Sequence, residues 1–439
     1  MADNERVQKL LILGSDYGTI DIARQAKDRG IYVIATDLME TSPTKEVANE
    51  SWMISTTDLD KLEQLCRERD VDAIITGASD FNIEKSRELC KRLGLPLYCD
   101  NDDAWEISTN KRLFKDLCKQ TGAPVAEDYF LSGEPTEEEL TKIQFPVVVK
   151  PVDLSGNRGM SYCSNPEELK EAFAKAKKAS ANSTIIVERE LHGPEFYVNY
   201  AIANGEAILQ FFTSEHNEPG QPDNLYSIII TTSYQLKKYL DEVNDKVIET
   251  FKRAGCREGI AWVETILDED GCFYLLEMGY RHGGDVLTAA YRHICGFDTI
   301  DWMLDISCGI KHSADDLPKP LTDVTNGVAA AYYLFAKEDG IIAEIQGLEE
   351  VESHPNISMD IPKRVGGQVR ADGAMGMGRL YGKNIDELCK TIDYINNTLF
   401  INNAEGQNMF VKYTDLGSLR DEHQKGLRQF GADVEEEIA

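Results

Sequence analysis

The stretch GIAWVETILDEDGCFYLLEMGYRHGGD, residues 259–285, decides the fold. Turn-forming residues from Asp268 to Gly271 separate two β-patterned runs, which predicts a hairpin. Side chains alternate along a strand with period two. A loop with an even number of residues therefore sets Glu264 opposite Leu275, with Glu277 on the same face two residues further on. Neighbouring carboxylates on an apolar strand face repel, and keeping both ionised without a cation is costly. A divalent cation removes that cost, because Mg²⁺ takes one or two carboxylates and fills its octahedron with phosphate oxygens and water. The plainer reading is two solvent-facing strand residues, or one residue in an ion pair.

Upstream, the strand pattern FPVVVKP (145–151) ends in Lys150 and runs into a loop containing Ser155, Gly156, Gly159 and Met160. Glycines let backbone N–H groups approach phosphates, and the strand-end lysine adds a point charge. No GK[ST] opens the following helix, so this is not a P-loop, and in isolation the loop is a weak signal for which an ordinary glycine turn is the better reading. In VERELHGPE, Glu188 and Glu195 flank a short crossover whose backbone at Arg189 to Leu191 offers the donor and acceptor pair that an adenine edge requires. Alone it is a strand–turn–strand.

Further out, residues 8 to 100 alternate apolar runs with amphipathic stretches: KLLIL (9–13), a helix ending at Gly30, YVIAT (32–36), a helix near 59–69, DAIIT (72–76), a helix near 83–93 and PLYC (96–99). This βαβα order predicts a small parallel sheet covered by helices. GSDYGT (14–19) with Asp37 resembles half of a dinucleotide fingerprint, but the GxGxxG spacing is absent. One helix is expected over 103–121, another near 167–179 and another near 236–254. Downstream come a strand VAAAYYLFA (328–336), a glycine-rich stretch (365–382) and a helix from Ile385 to Leu399.

The 439 residues carry 76 Asp and Glu against 46 Lys and Arg, a net charge of −30. Such a polyanion has no general attraction for nucleic acid or acidic membrane, so any phosphate site must be local. The N-terminal residues Met1 to Gln8 are polar, and no run approaches the roughly 18 apolar residues of a membrane span. The 10 cysteines show no CxxC pair and read as buried hydrophobes of a reduced compartment, so a cytoplasmic location is expected.

In order and spacing these motifs resemble the ATP-grasp ligases, the broad group of biotin carboxylase, the carbamoyl phosphate synthase large subunit and the L-amino acid ligases. The resemblance covers residues 8 to 320 and extends more weakly to the C-terminus. It implies an α/β chain in three parts: an N-terminal Rossmann-like parallel sheet (1–110), an ATP-grasp domain of two α+β subdomains sandwiching ATP (111–322), and a C-terminal α+β, lid-like domain (323–439). It also implies roles. Lys111, in TNKRLF, and Lys150 would bind ATP phosphates; the 154–160 loop, with Ser155, Gly156, Gly159 and Met160, would close over them. Glu188 with the Arg189 to Leu191 backbone would hold adenine, and Glu195 the ribose. Glu264 and Glu277 would ligate Mg²⁺, with Mn²⁺ as its substitute, and Arg281 would stabilise the γ-phosphate and then an acyl phosphate.

One departure stands out. Many members read Glu-x-Asn-x-Arg, whereas this chain reads Glu277-Met278-Gly279-Tyr280-Arg281, without the Asn that completes metal coordination. Some amino acid ligases share that loss, and their Glu, Arg and paired glycines agree with Gly283 and Gly284. Water, a phosphate oxygen or Asp285 would fill the position. The implied reaction is ADP-forming ligation of a small carboxylate, such as an amino acid, to an amine, and homodimers are common among similar ligases. The rivals are a ligase acting on bicarbonate or another small carboxylate, a sensor that binds ATP without turnover, and a dehydrogenase using Gly14 to Gly18 and Asp37. His216 and His282 read as polar surface or structural residues. Arg364 and Arg370 either hold a substrate carboxylate or are solvated.

Overall fold

The structure is a computed structural model. It describes residues 6–15, 18–40, 42–97, 99–129, 131, 133–151, 159–180, 185–221, 225–283, 288–323 and 327–431. The N-terminal alternation builds the expected parallel sheet from β1 (Lys9–Leu13), β2 (Tyr32–Thr36), β3 (Glu50–Trp52) and β4 (Ala73–Thr76), in the order β3-β2-β1-β4. The helix Thr19–Asp28 stops where expected, with Gly30 at φ +78°. Two details differ. PLYC forms no strand among the described residues, since Pro96 brings no N–H to a ladder, and the sheet's third strand is instead the short ESW segment.

A four-stranded sheet of β5 (Asp128–Tyr129), β6 (Val147–Pro151), β7 (Ser161–Cys163) and β8 (Ile185–Arg189) has the order β5-β8-β6-β7. The helix Pro166–Ala179 buries Leu169, Phe173 and Ala176 against it. The large sheet has eight antiparallel strands: β9 (Glu195–Ala203), β10 (Glu206–His216), β11 (Ile228–Thr231), β12 (Gly259–Leu267), β13 (Phe273–Gly279), β14 (Val328–Phe335), β17 (Ile357–Asp360) and β19 (Ala374–Gly382). Its order is β13-β12-β9-β10-β11-β14-β19-β17, so strands from the C-terminal third continue the same ladder through the β11–β14 pair. Two short ladders, β15 (Gly340–Ile341) with β18 (Gln368–Val369) and β16 (Glu344–Gln346) with β20 (Phe400–Asn402), complete the sheets.

Alternation sorts the large sheet into two faces. Phe196, Val198, Tyr200, Ala261 and Val263 join the main core, which also takes Leu10, Ile12 and Ile75 of the parallel sheet and Ile300, Trp302 and Leu304 of the helix Thr299–Ser307. Glu195, Tyr197 and Asn199 on β9, and Trp262 and Glu264 on β12, point the other way. That second face carries the polar chemistry.

The single helix expected over 103–121 is two, Asp102–Thr109 and Lys111–Thr121. Asn110 leaves helical geometry (φ −126°, ψ 102°), and its side chain accepts from the amides of Arg112 and Leu113. An N-cap at this point puts Lys111 in the first turn of the second helix, on its own exit vector. Asn110→Ala is expected to cost about 1 kcal/mol of stability by chemical denaturation, with Asn110→Ser retaining most of it.

Candidate active site

The hairpin forms, but its register differs from the even-loop expectation. Leu267 pairs with Phe273 across a five-residue loop, closed by Gly271 N–H donating to the Asp268 carbonyl at 2.8 Å. The ladder then shifts between Thr265, opposite Leu275, and Glu264, which stands directly opposite Glu277. Leu276 is the extra residue of a bulge. Bulges raise local twist and re-aim side chains, and here the bulge turns two diagonal carboxylates into a facing pair.

Their charges are unequally met. Glu277 pairs with the Lys111 ammonium, which the Asn110 cap delivers. Burial pushes the Glu264 carboxyl up to about 8, reinforced by Glu277 and then Glu195, with Lys111 and Arg281 opposing. Among the described residues no group of three or more His, Cys, Asp or Glu is gathered tightly enough to hold a metal ion by itself. Two facing carboxylates, only one of them paired with an ammonium, fit an ion such as Mg²⁺ that draws its other ligands from phosphate and water.

Lys150 is set at the end of β6, where its ammonium meets the Glu188 carboxylate from β8. Lys115, four residues beyond Lys111 on the same helix face, meets the other oxygen of Glu188 and lies 3.8 Å from Asp128. Burial alone would raise the Glu188 pKa, but Lys150 and Lys115 together hold it down at about 2. Burial also depresses Lys115, while Glu188, ahead of Glu277 and Glu264, more than restores Lys150. The Glu188 carboxylate is thus occupied, and it orients the strand-end lysine instead of waiting for adenine.

In the turn beyond β8, the amides of Arg189, Glu190 and His192 donate to Glu127 O (2.9 Å), Pro146 O (3.2 Å) and the Asp268 carboxylate (2.8 Å). Leu191 offers the one amide of residues 189–192 with no protein acceptor among the described residues. Arg189 itself reaches Asp268 at 2.8 Å, and Glu195 accepts from the Tyr226 hydroxyl at 2.7 Å. Gly159 adopts φ +79°, and a Cβ there would stand 3.0 Å from Pro151, so Gly159 lies tightly against the end of β6. Met160 follows it into β7; Ser155, Gly156, Gly284 and Asp285 lie outside the described residues.

Arg281 is held by Asp80, its Nη2 3.2 Å from Oδ2, and its guanidinium lies 5.0 Å from the Trp262 ring. Asp80 begins the helix that follows β4, so the parallel sheet contributes directly to the site. His282 is not a surface residue: it is buried, and burial followed by Arg281 pulls its pKa down to about 4. His216 is structural, 2.9 Å from Ser214 and 3.3 Å from Glu422 of the C-terminal helix. Arg364 is exposed and turns back to the Ile361 carbonyl, and Arg370 is exposed as well. The arginine that the C-terminal region does bury is Arg379, 2.7 Å from Asp360 and 3.3 Å from Asp21. Asp37 is spent on its own turn, accepting from the Met39 amide at 2.6 Å. A separate cavity of about 670 Å³, lined by Lys91, Pro96, Glu258, Lys311 and His312 among others, shares none of the cluster's residues.

A small sheet bearing a strand-end lysine thus stands beside a large sheet bearing paired carboxylates in an α/β fold. Residues 143–289 match the family model described as "ATP-grasp domain". The chain carries an ATP-grasp domain over those residues. It is 25% identical to the formate-dependent phosphoribosylglycinamide formyltransferase of Ignicoccus hospitalis, over 66% of this chain and 73% of that one. It spans about half the length (50%) of the relatives of that name in Pyrococcus species. Among solved structures, the L-amino acid ligase of Bacillus licheniformis superposes with a TM-score of 0.73 at 20% identity, covering 92% of this chain and 100% of that one. The biotin carboxylase of Campylobacter jejuni gives 0.74 at 18%, covering 91% and 92%. No helix among the described residues is long and apolar enough to cross a membrane.

The oppositely shifted carboxylates set a pH test. Glu188 is depressed, so its contribution is present above the ordinary carboxylate pKa and fades as pH falls toward about 2. Glu264 is raised, so its protonated form favours the fold and stability declines as pH climbs from the ordinary carboxylate range to about 8. In metal-free protein the thermal midpoint of Glu264→Gln should therefore gain on the wild type across that upper window. Equal pH dependence of the two proteins would refute the assignment. Lys115→Ala, which strips one of two partners from a buried carboxylate, should cost about 3 kcal/mol or more in denaturant melts.

Proposed function

We propose that the protein is an ADP-forming carboxylate–amine ligase that activates a small carboxylate, such as an amino acid, as an acyl phosphate. The observation that carries this reading is the facing pair Glu264 and Glu277 with Lys111 on one member and Lys150 beside them. A carboxylate resists an amine because its own charge repels the lone pair, so its oxygen first needs a better leaving group. The carboxylate oxygen attacks the γ-phosphorus of ATP, the bond to the β-bridging oxygen breaks, and ADP departs. The amine then attacks the acyl carbon and phosphate leaves.

In this reading each side chain has an electrostatic task. Lys111 and Lys150 neutralise the phosphate chain while its charge redistributes, which is mainly positioning and field. Glu264 and Glu277 would hold Mg²⁺, or Mn²⁺ in its place, which supplies charge neutralisation at the β- and γ-oxygens. Arg281 would turn from Asp80 to the transferring group and the acyl phosphate. The turn at 189–191 would take adenine through the Arg189 carbonyl and the Leu191 amide, with Glu195 at the ribose. Residues 154–160 would exclude water from the activated intermediate.

The organisation we propose keeps three parts, 1–110, 111–322 and 323–439. It is supported by separate apolar layers around Ile34 and Leu62, around Val147 and Phe173, and around Leu388 and Ile392. A reducing compartment such as the cytoplasm suits 10 cysteines that are all unpaired. We infer no specific contact for a homodimer. The Ignicoccus relative's name supports a second reading, in which formate or another small carboxylate is the acyl donor. The dehydrogenase reading loses support because Asp37 is occupied locally.

Screening carboxylate and amine pools for phosphate release should find turnover only when both partners and Mg-ATP are present. Tight Mg-ATP binding with no turnover in any pool would favour a sensor. Glu277→Gln should lower kcat by about a hundredfold or more once a substrate pair is found, and unchanged activity would remove the metal assignment.

A further inference from the structure

The position that lacks its expected Asn is not vacant. A Cβ added to Gly279 would stand 2.3 Å from Cε2 and Cζ2 of Trp262 and 2.6 Å from its Nε1. The pyrrole edge of the indole thus occupies the space in which a side chain at 279 would begin, and glycine is the residue that leaves room for it. Trp262 is fixed from two more sides, by the Tyr197 ring at 4.8 Å and the Arg281 guanidinium at 5.0 Å.

This exchange reverses the chemistry of the position. An amide oxygen accepts and can ligate a cation, whereas an indole N–H only donates. Trp262 is 4% exposed, and its Nε1 has no acceptor among the described residues. Asn199, directly across the ladder from Trp262 on the same face, is 6% exposed, and its Nδ2 also lacks an acceptor among the described residues. Cross-strand neighbours stand about 5 Å apart, so two buried donors and a guanidinium share one small region. A buried unpaired donor costs free energy, and two side by side call for a ligand rich in acceptors.

The place along β12 says which ligand. Asp268, past the end of the strand, binds the 189–192 turn, so the nucleotide side lies in that direction from Glu264. Trp262 lies about 7 Å the other way, toward Arg281 and Asp80 of the parallel-sheet side. We propose that Trp262 is a substrate-binding residue. Its Nε1–H, with Asn199 Nδ2, holds an oxygen of the carboxylate being activated and keeps that oxygen through the acyl phosphate. The proposal rests on the ligase reading above and deepens it: the reacting carboxyl group is recognised by neutral N–H donors where relatives have a metal-ligand side chain.

The test follows the indole protons. The chain has 4 tryptophans, so protein labelled with ¹⁵N-tryptophan gives few indole signals, and Trp262→Phe, which keeps a ring over Gly279, assigns the one from Trp262. The probes are MgADP alone and MgADP with acetyl phosphate. The Trp262 signal should stay in place with MgADP and move downfield when acetyl phosphate is added. Movement with MgADP alone would put the donor on the nucleotide and overturn the proposal; no movement in either case would also overturn it. ATP formed in the same tube separates the two failures, because ATP without a shifted signal leaves the ligase reading standing. With a substrate pair in hand, Trp262→Phe should raise KM for the carboxylate about tenfold and leave the Kd for MgADP within about twofold.

Discussion

Two carboxylates set face to face across an antiparallel ladder are the constraint around which the rest of the molecule is arranged. Coulomb repulsion at this separation in a partly desolvated sheet face cannot be left unanswered, and the chain answers half of it. Lys111 reaches Glu277, while Glu264 keeps a proton-hungry carboxyl with no ammonium of its own among the described residues. The partial answer makes the face receptive: a fully neutralised pair would be a structural ion network, and a fully exposed pair would be solvated. The same economy recurs beside it, where one buried carboxylate, Glu188, serves two lysines and so presents the ammonium of Lys150 without surrendering it.

The scaffold supports this arrangement from three directions. The helix break at Asn110 delivers Lys111 from the junction after the parallel sheet. The small sheet brings Lys150 and Glu188, and the parallel sheet brings Asp80 to Arg281. The first and third cannot be moved alone, since the main core runs without interruption from Leu10 and Ile75 through Phe114 and Trp302 to Val263, whereas the small sheet packs its own layer around Val147 and Phe173.

Much of this was legible in the residues. The hairpin, the strand-end lysine and the βαβ alternation have strong local signals: turn chemistry, period-two patterns and glycine caps. What was hidden depended on contacts remote in sequence or on single-residue geometry. The bulge at Leu276 alters register by one residue, which no apolar pattern records because Leu275 and Leu276 are both apolar. The cap at Asn110 was obscured by an amphipathic pattern that continues across it. Lys115 had a signal, its four-residue spacing from Lys111, but its importance lies in a carboxylate 73 residues away. Arg379 stood in the glycine-rich region beside Arg364 and Arg370, and only the tertiary fold separates the buried guanidinium from the exposed ones.

The uninterrupted eight-stranded ladder has a mechanical corollary. Sliding β14 away from β11 would break paired backbone groups, so the C-terminal third is welded to the sheet that carries the facing carboxylates. The small sheet shares no ladder with it among the described residues and is held instead by side-chain pairs, Lys115 to Glu188, Lys119 to Asp128 and Arg189 to Asp268, beside the bridge of Val125 to Leu275. Displacing the small sheet would therefore cost ion pairs and side-chain packing, whereas displacing the C-terminal strands would cost a row of backbone hydrogen bonds.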